Sequence, residues 1–244
     1  MRDRISTPVL LLDAGDTLLG QRVADATQGG AIIEAMNLMQ YDAMVVGQTD
    51  FIKGSEVVLE RASEADFAVL SCNVVDATSG EPILQPYVVL ERGGIRFGII
   101  GVSEPEVKQV PFAGVAGIEV HDPMASVLRY LPEVEAQSDV VILLSHLGLP
   151  QDRVLAGALP GVDVIIGGRS REVMQTHVQV GRALIAQMGY DGEWLGQLDV
   201  RITATDSTGL LTRLDMGPEI ADDPELASLV EGYNQRFPAP TPTP

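Results

Sequence analysis

Four short polar segments contain most of the residues in this sequence that could do chemistry, and each follows an apolar run. The runs are VLLL, AMVV, VVILL and VII, and the segments after them are DAGD, GQTD, SHLG and GGRSR. Three carboxylates, Asp13, Asp16 and Asp50, and one imidazole, His146, occur in these segments. Divalent cations take carboxylate and imidazole ligands in proteins. These residue types therefore predict a site for a divalent metal ion.

The last segment adds two arginines, Arg169 and Arg171. A guanidinium group recognises phosphate and carboxylate oxygens through paired hydrogen bonds, so the two arginines predict an anion-binding site. The alternative is that they form internal salt bridges with Asp16 and Asp50. In that case His146 would hydrogen-bond a backbone group.

Apolar runs alternate with helical patterns along the chain, which predicts an α/β fold with a partly parallel, buried sheet. Strands are predicted at 9–12, 43–46, 67–71, 87–90, 95–102, 118–120, 140–144 and 164–166, with a terminal antiparallel set between 178 and 216. Helices are predicted at 29–39, 55–65, 124–136, 153–159 and 224–237. Pro132 is expected to break or kink the third of these helices. Because ligands bind at the carboxyl ends of parallel strands, the four polar segments are expected to converge.

Composition excludes several classes of function. Acidic residues outnumber basic ones by 34 to 16, which gives a net charge of -18, so a nucleic-acid-binding face is not expected. The single cysteine, Cys72, excludes an intrachain disulfide and is predicted to be buried and unreactive. No apolar run approaches the roughly 20 residues that span a bilayer, and no signal peptide is recognisable, so the cellular compartment is left open.

The order and spacing of the four segments resemble the metallophosphoesterase (calcineurin-like) superfamily, specifically its 5′-nucleotidase and 2′,3′-cyclic phosphodiesterase branch. The family pattern runs GD, GNHE, SH and GGHxH, and the corresponding segments here are LLLDAGDTLLG, YDAMVVGQTDF, VVILLSHLG and VDVIIGGRSRE. The resemblance covers nearly the whole chain. It implies a four-layer α/β/β/α sandwich of two mixed sheets flanked by helices. One such domain is expected over residues 1–236, followed by a Pro/Thr-rich linker or tail at 237–244.

Active members of this family bind two metal ions, and the resemblance implies which ligands remain. Asp16 matches the bridging carboxylate and His146 matches a metal-binding imidazole. At GNHE, however, Gln48, Thr49 and Asp50 replace the asparagine ligand, the catalytic histidine and the glutamate. Thr49 is not a general acid near neutral pH, so no catalytic residue is assigned.

At GGHxH both ligand histidines are replaced by Arg169 and Arg171, and arginine stays protonated. The expectation is at most one weakly bound divalent ion, Mn²⁺, Zn²⁺ or Mg²⁺, at Asp16 and His146. Three neighbouring side chains could assist: Asp13, Gln48 and Asp50.

Two parts of the family pattern have no counterpart in this sequence. The Asp-x-His motif of the family's first strand is absent, and so is the C-terminal domain that supplies much of the nucleoside pocket. Three explanations are open: N-terminal residues are missing from this sequence, residues 2–7 fill the gap, or a second chain covers the edge that the missing strand would leave open.

Three functions are compatible with these observations. The leading hypothesis is a degenerate domain that binds an anion, a nucleotide phosphate or a protein partner with little or no phosphoester hydrolysis. The alternatives are an active phosphohydrolase with one metal ion and a purely structural or interaction domain.

A rival resemblance is to haloacid-dehalogenase phosphatases. It fits Asp13 and Thr17, but the second carboxylate of that motif falls on Gly15. Neither a phosphate-binding P-loop nor a nucleophile elbow is present. The other two histidines, His121 and His177, are predicted to be surface or turn residues.

Overall fold

A computed structural model describes residues 5–109, 115, 117–203 and 206–239, in which strands and helices alternate. The strands are β1 (Leu12–Asp13), β2 (Ala43–Val45), β3 (Ala68–Leu70), β4 (Val74–Asp76), β5 (Tyr87–Arg92), β6 (Ile95–Ser103), β7 (Ile118–Val120), β8 (Val140–His146), β9 (Val164–Gly167), β10 (Val178–Val180), β11 (Ala183–Ala186), β12 (Trp194–Ile202) and β13 (Ser207–Asp215). The helices are α1 (Arg22–Ala26), α2 (Gly30–Leu38), α3 (Ser55–Glu64), α4 (Pro123–Gln137), α5 (Leu149–Ala158) and α6 (Pro224–Arg236). Short 3-10 helices at Thr49–Lys53 and Pro105–Gln109 follow β2 and β6.

Two sheets form the centre of the molecule. The smaller has the order β1-β2-β3 with parallel neighbours, and the larger has the order β10-β11-β9-β8-β6-β5. In the larger sheet β6, β8, β9 and β11 are parallel, while β5 and β10 are antiparallel at the two edges. Two antiparallel pairs, β4-β7 and β12-β13, complete the described strands.

Alternation of side chains along the strands produces four layers. On β2, Ala43 and Val45 face the larger sheet, while Met44 packs towards α2 and α3. On β8, Leu144 faces the smaller sheet, while Leu143 packs towards α4 and α5. The order of layers is therefore helices, small sheet, large sheet, helices, and the predicted α/β/β/α sandwich is confirmed.

The two sheets approach closely where β6 passes β3. A Cβ atom on Gly101 would lie 2.4 Å from the Cβ atom of Leu70, so only glycine permits this approach. The contact brings the end of β6 next to the end of β2, where the polar segments lie.

Pro132 lies inside helix α4 without ending it, so of the two predicted effects the break is wrong, while a kink stays a prediction. Asp122 caps the helix by accepting a hydrogen bond from the N–H of Ala125. Val127, Leu131 and Val134 are buried on one face of α4. Burial of this apolar face on the large sheet outweighs the one backbone hydrogen bond that proline cannot form.

Cys72 is buried, as predicted. Strand β1 is shorter than the predicted 9–12, and within the described residues it pairs with β2 alone. Coverage of its other edge by a second chain stays a prediction. Residues 1–4 and 240–244 lie outside the described residues, and so does most of the predicted tail. In the described part, no helix is both long and apolar enough to cross a membrane.

Candidate functional site

The predicted convergence of the strand ends occurs, and it is very close. A Cβ atom on Gly47, after β2, would lie 2.4 Å from Oδ1 of Asp16 and 2.8 Å from Nε2 of His146. A Cβ atom on Gly168, after β9, would lie 2.9 Å from Nδ1 of His146. Glycines at these two positions allow segments from β1, β2, β8 and β9 to surround one imidazole ring.

His146, the last residue of β8, is at the centre of the site and is only 2% exposed. Its Nδ1 atom is hydrogen-bonded to the backbone carbonyl of Ala14. Because a carbonyl oxygen only accepts, Nδ1 carries a proton and donates it. The other ring nitrogen, Nε2, lies 3.3 Å from Oδ2 of Asp16 and 3.9 Å from Oε1 of Glu104.

Asp16 lies in the turn after β1 in a left-handed conformation, with φ of 61°. Its Oδ1 atom accepts a hydrogen bond of 2.7 Å from the backbone N–H of Thr49. The side chain is 32% exposed, so it forms the solvent-facing side of the site. A non-glycine residue in this backbone region is uncommon, and such strain is often found at functional sites.

Glu104 is a member of the site that the sequence motifs did not identify. It directly follows β6 and is buried, with Oε1 accepting a 2.8 Å hydrogen bond from the N–H of Gln48. Its other oxygen, Oε2, is buried without a hydrogen-bond partner in the described part of the chain. The rule that located the other segments, a polar residue directly after an apolar strand, also applies to it.

The charges of these three residues are coupled. Burial by itself would lower the pKa of His146, but the carboxylates of Asp16 and Glu104 outweigh it and raise that pKa to about 9. Burial would raise the pKa of Asp16, but the hydrogen bond and charge of His146 hold it below its ordinary value. Burial raises the pKa of Glu104. The cluster is therefore an acidic pocket around one imidazole.

Asp50 has a different role from the others. Its two carboxylate oxygens accept backbone hydrogen bonds from Asp16, Thr17, Leu18 and Gly47, at 2.8 to 3.0 Å. Burial raises its pKa to about 7, and the backbone N–H groups oppose this effect. Asp50 thus clamps the turn that presents Asp16.

Asp13 likewise binds its own turn. Its Oδ1 atom accepts hydrogen bonds from the N–H of Gly15 and the hydroxyl of Thr17, at 2.9 and 2.6 Å. Gln48 meets Glu104 through its backbone N–H. Of the five residues predicted as metal ligands, the structure brings Asp16 and His146 together, and Glu104 joins them.

The two arginines point to neighbours other than the carboxylates at the centre. Arg169 forms a salt bridge of 3.1 Å with Glu106, and the Arg171 guanidinium lies 5.2 Å from the ring centroid of Tyr190. Both have positive φ, 65° and 55°. The alternative of a salt bridge from these arginines to Asp16 is wrong for the described structure, because His146 is the partner of Asp16.

Two networks of buried hydrogen bonds lie beside the site, in the interior of the protein. Asn73 bonds both backbone groups of Ser103, at 2.9 and 2.8 Å, and the Ser103 hydroxyl donates to the carbonyl of Val46. Next to His146, the hydroxyl of Ser145 donates to Asp152 at 2.6 Å, and the amide of Gln187 donates to the same carboxylate at 3.0 Å. These networks determine the positions of Glu104 and His146 through the backbone.

The donor set does not fit a centre of two metal ions. The resemblance places Arg169 and Arg171 at two of the ligand positions that such a centre would need, and the two guanidinium groups are cations themselves. A single ion among Asp16, Glu104 and His146 fits the donors, since a ligand atom from each lies within 4.8 Å of the others. The other two histidines, His121 and His177, lie outside this cluster.

Comparison with known proteins gives a consistent set of relatives, although no protein-family model matches the chain. A 5′-nucleotidase of Vibrio cholerae is 28% identical over 179 residues, which are 67% of this chain and 32% of that protein. The human 5′-nucleotidase is 33% identical over 183 residues, 71% of this chain and 31% of that protein. The uncharacterized metallophosphoesterase YunD of Bacillus subtilis is 28% identical over 197 residues, 79% of this chain and 42% of that protein. The chain thus spans less than half the length of these relatives.

Solved structures agree with the fold. A 5′-nucleotidase precursor from Thermus thermophilus superposes with a TM-score of 0.86 and 28% identity, covering 96% of this chain and 50% of that one. The sulfate thiohydrolase SoxB, also from Thermus thermophilus, superposes with a TM-score of 0.86 at 24% identity, over 93% of this chain and 42% of that one. The second likeness concerns the fold alone.

Proposed function

Because this chain belongs to the metallophosphoesterase superfamily, in the branch of the 5′-nucleotidases and cyclic phosphodiesterases, we propose that it is a degenerate member of that branch. It binds a phosphate-bearing anion, such as a nucleotide phosphate, and hydrolyses phosphate esters little or not at all. The clearest support is position 49, where the resemblance places the catalytic histidine. Thr49 is there instead, and a threonine hydroxyl does not protonate a leaving group near neutral pH.

Loss of the second metal ion supports the same proposal. In two-ion phosphoesterases the pair of cations stabilises both the attacking and the leaving oxygen. Arg169 and Arg171 replace two of the ligands that such a pair requires, so a single ion would leave one of these two oxygens without a metal partner.

Arg169 is the residue best placed to bind an anion. It directly follows Gly168, which packs against the ring of His146, so its side chain begins at the rim of the site. The side chain of Arg169 is 38% exposed, and that of its partner Glu106 is 34% exposed. A partly exposed ion pair is worth only about 0.2–1 kcal/mol, so a phosphate dianion can displace Glu106 at small cost.

A second candidate function, phosphoester hydrolysis with one metal ion, is favoured by the Asp16, Glu104 and His146 cluster. In that case the ion would activate a water molecule, and Arg169 would stabilise the transferring phosphoryl group. The first candidate predicts little or no hydrolysis of phosphate esters, whereas the second predicts hydrolysis that depends on the metal ion.

The test combines a hydrolysis assay with a binding assay. AMP and bis(p-nitrophenyl) phosphate are incubated with the protein in MnCl₂, beside the Vibrio cholerae 5′-nucleotidase. Loss of the general acid predicts a rate at least about 100-fold lower than that of this relative. Turnover comparable to that of the relative, and lost in Asp16→Asn, would establish the second candidate instead.

Binding of inorganic phosphate and AMP is measured by calorimetry on wild type, Arg169→Ala and Arg96→Ala. Arg96 is a matched control, because it is an exposed arginine that pairs with Asp139 at 2.7 Å. It lies near the start of β6, whereas the site lies at the carboxyl ends of the strands. Heat of binding that disappears in Arg169→Ala and persists in Arg96→Ala is the expected result. Absence of binding to wild type, or equal binding by both variants, would refute the anion-binding proposal.

A further inference from the structure

Strand β3 forms the edge of the smaller sheet opposite β1, and part of this edge has no neighbouring strand among the described residues. The N–H of Ser71, directly after β3, donates to the carbonyl of Gln85 at 3.0 Å, and Gln85 forms an isolated parallel bridge with Leu70. The chain before Gln85 lies elsewhere, because the N–H of Ile83 donates to the carbonyl of Val74 in β4 at 3.0 Å. The edge is therefore covered at the carboxyl end of β3 and open before that point.

Backbone N–H groups at the open part of the edge point away from β2. The N–H of Ala68 donates to the residue before β2, and the carbonyl of Leu70 accepts from the residue after β2, both at 3.3 Å. Alternate residues of a strand bond to opposite neighbours, so the N–H groups of Phe67 and Val69 face the other side. Among the described residues, neither of these two groups has an acceptor. They are positioned to donate to the backbone of one further strand.

A groove of about 490 Å³ lies beside this edge. Phe67 and Val69 line it from the sheet, Leu59 and Ala62 line it from helix α3, and Leu84 lines it next to the bridge at Gln85. Leu59 is 40% exposed, whereas the other large apolar side chains of the groove are almost fully buried. The groove is thus mainly apolar, and one leucine on its helix side is accessible from solvent.

An open strand edge beside an apolar groove that a helix borders is suited to strand addition. In this mode of recognition an extended peptide bonds to the edge through its main chain, and alternate side chains enter the groove. A helical partner could fill the groove, but its main-chain carbonyls are bonded within the helix. The two N–H groups of β3 therefore favour an extended segment as the occupant.

The charge around the groove indicates which residues flank such a segment. Residues 55–66 include one arginine and four exposed carboxylates, namely Glu56, Glu60, Glu64 and Asp66. The arginine, Arg61, is buried and pairs with Glu60 and Glu64 at 2.8 and 3.0 Å. Glu56 lies one helical turn before Leu59, so it continues the face of α3 that borders the groove. This negative potential attracts basic residues and repels acidic ones.

We propose that the edge of β3 and the groove beside α3 bind an extended segment of a partner protein, which adds a strand to the smaller sheet. The segment has apolar side chains at alternate positions and lysine or arginine residues at its ends. This inference does not rest on the proposed function, because Asp16, His146 and Arg169 line no part of the groove. It also concerns the edge opposite the one that the missing family strand would leave open.

The probe is a phage-displayed library of random peptides of about 12 residues, long enough for one strand and its flanks. Selection on the immobilised full chain should enrich peptides that alternate apolar and polar residues between basic ends. The most enriched peptide is then synthesised with a fluorescent label, and its affinity is measured by anisotropy. Replacement of its basic residues by glutamate should weaken binding at least about fivefold.

Leu59→Arg is the test variant, because it removes the accessible apolar contact of the groove and adds a positive charge. It should weaken binding of the selected peptide at least about tenfold. Leu128→Arg is the matched control, since Leu128 is an exposed leucine on another helix, α4. Its affinity should stay within about twofold of wild type. Urea denaturation of both variants establishes that they are folded.

Measurements on wild type keep the proposal testable if Leu59→Arg does not fold. Binding should shift the amide proton resonances of Phe67 and Val69 in ¹⁵N-labelled protein, because both N–H groups gain an acceptor. Two further versions of the peptide are N-methylated, one at odd and one at even positions. Only one side of an added strand faces β3, so one version should lose binding and the other should keep it.

Three results would overturn the proposal: no enriched peptide, equal weakening by Leu59→Arg and Leu128→Arg, or binding of both N-methylated versions. Light scattering tests a different occupant of the groove. A wild-type dimer that Leu59→Arg converts to a monomer would assign the groove to a second copy of this chain, and that result would also overturn the proposal.

Discussion

The carboxylate of Asp50 accepts a 2.8 Å hydrogen bond from the backbone N–H of Leu18, 32 residues earlier in the chain. The same carboxylate binds the N–H groups of Asp16 and Thr17, and of Gly47 on its own segment. The residue that replaces the glutamate of the GNHE pattern therefore holds the segment after β1 against the segment after β2. This bond pattern explains how Asp16 keeps a left-handed backbone next to His146.

We predict that Asp50→Asn strongly destabilises the fold. An amide offers one acceptor oxygen, and its NH₂ group would face backbone N–H donors, so about two buried N–H groups lose their partner. At about 1–3 kcal/mol for each unsatisfied group, the free energy of unfolding should fall by roughly 2–5 kcal/mol, as measured by urea denaturation. Asp76→Asn is the control, because Asp76 accepts similar bonds from Thr78 and Ser79 on the surface. Water can replace the bonds of Asp76. Equal losses of unfolding free energy in Asp50→Asn and Asp76→Asn would therefore contradict the stabilising role given to Asp50.

A second prediction concerns pH and Asp152, which is fully buried. Burial raises the pKa of Asp152 to about 6, from an ordinary value of 3.8. The folded chain therefore binds this proton more tightly than the unfolded chain does. The stability that Asp152 contributes is fully present below about pH 4 and is lost as the pH rises through 6.

Asp152→Asn removes this titration. The Gln187 amide can rotate so that its Oε1 atom, which has no partner among the described residues, accepts a hydrogen bond from the introduced amide. The stability of the variant relative to wild type should rise by on the order of 2 kcal/mol between pH 4 and pH 7. Urea denaturation at both pH values measures the difference, and a difference independent of pH would refute the prediction. Asp152→Ala leaves the buried hydroxyl hydrogen of Ser145 and the amide of Gln187 without their acceptor and should be less stable at both pH values.

The Asn73 network gives a third prediction. Asn73→Ala leaves the buried N–H and C=O of Ser103 unsatisfied, and the free energy of unfolding should fall by about 2–4 kcal/mol. Asn37 provides a matched control, since it bridges the carbonyl of Glu64 and the N–H of Asp66 near the surface. Asn37→Ala should cost less than about 1 kcal/mol because water replaces these bonds. Thermal and urea unfolding of both variants measure the two losses of stability. A larger loss in Asn37→Ala than in Asn73→Ala would contradict the prediction.

Release of Arg169 gives a fourth prediction. Glu106→Gln removes the charge of the salt-bridge partner of Arg169, so phosphate no longer competes with a carboxylate. A partly exposed pair is worth up to about 1 kcal/mol, so phosphate affinity should increase up to about fivefold. Calorimetry with inorganic phosphate measures the change. The double variant Glu106→Gln with Arg169→Ala should show no increase in phosphate affinity. An increase in the double variant would mean that removal of the acidic charge, and not the release of Arg169, causes the effect.

Much of the fold could be predicted because the signals are local. A fully apolar run such as VVILL indicates a buried strand, and its successive residues alternate between two apolar surfaces, as Leu143 and Leu144 do. The rule that ligands bind at strand ends locates the four polar segments, and the family resemblance singles out Asp16 and His146 among their residues. The predicted break of helix α4 is wrong, since burial of one face keeps the helix continuous through Pro132.

The sequence by itself thus determined the layers, the edge of the sheets where the site lies, and two of its three central residues. Only the tertiary structure decided the partners of each side chain. Glu104 entered the site because Gly101 lets β6 approach β3, and Arg169 turned to Glu106 instead of Asp16. Strand and helix patterns depend on a few neighbouring residues, whereas the partner of a charged side chain depends on which distant segments pack beside it and on the backbone angles they adopt.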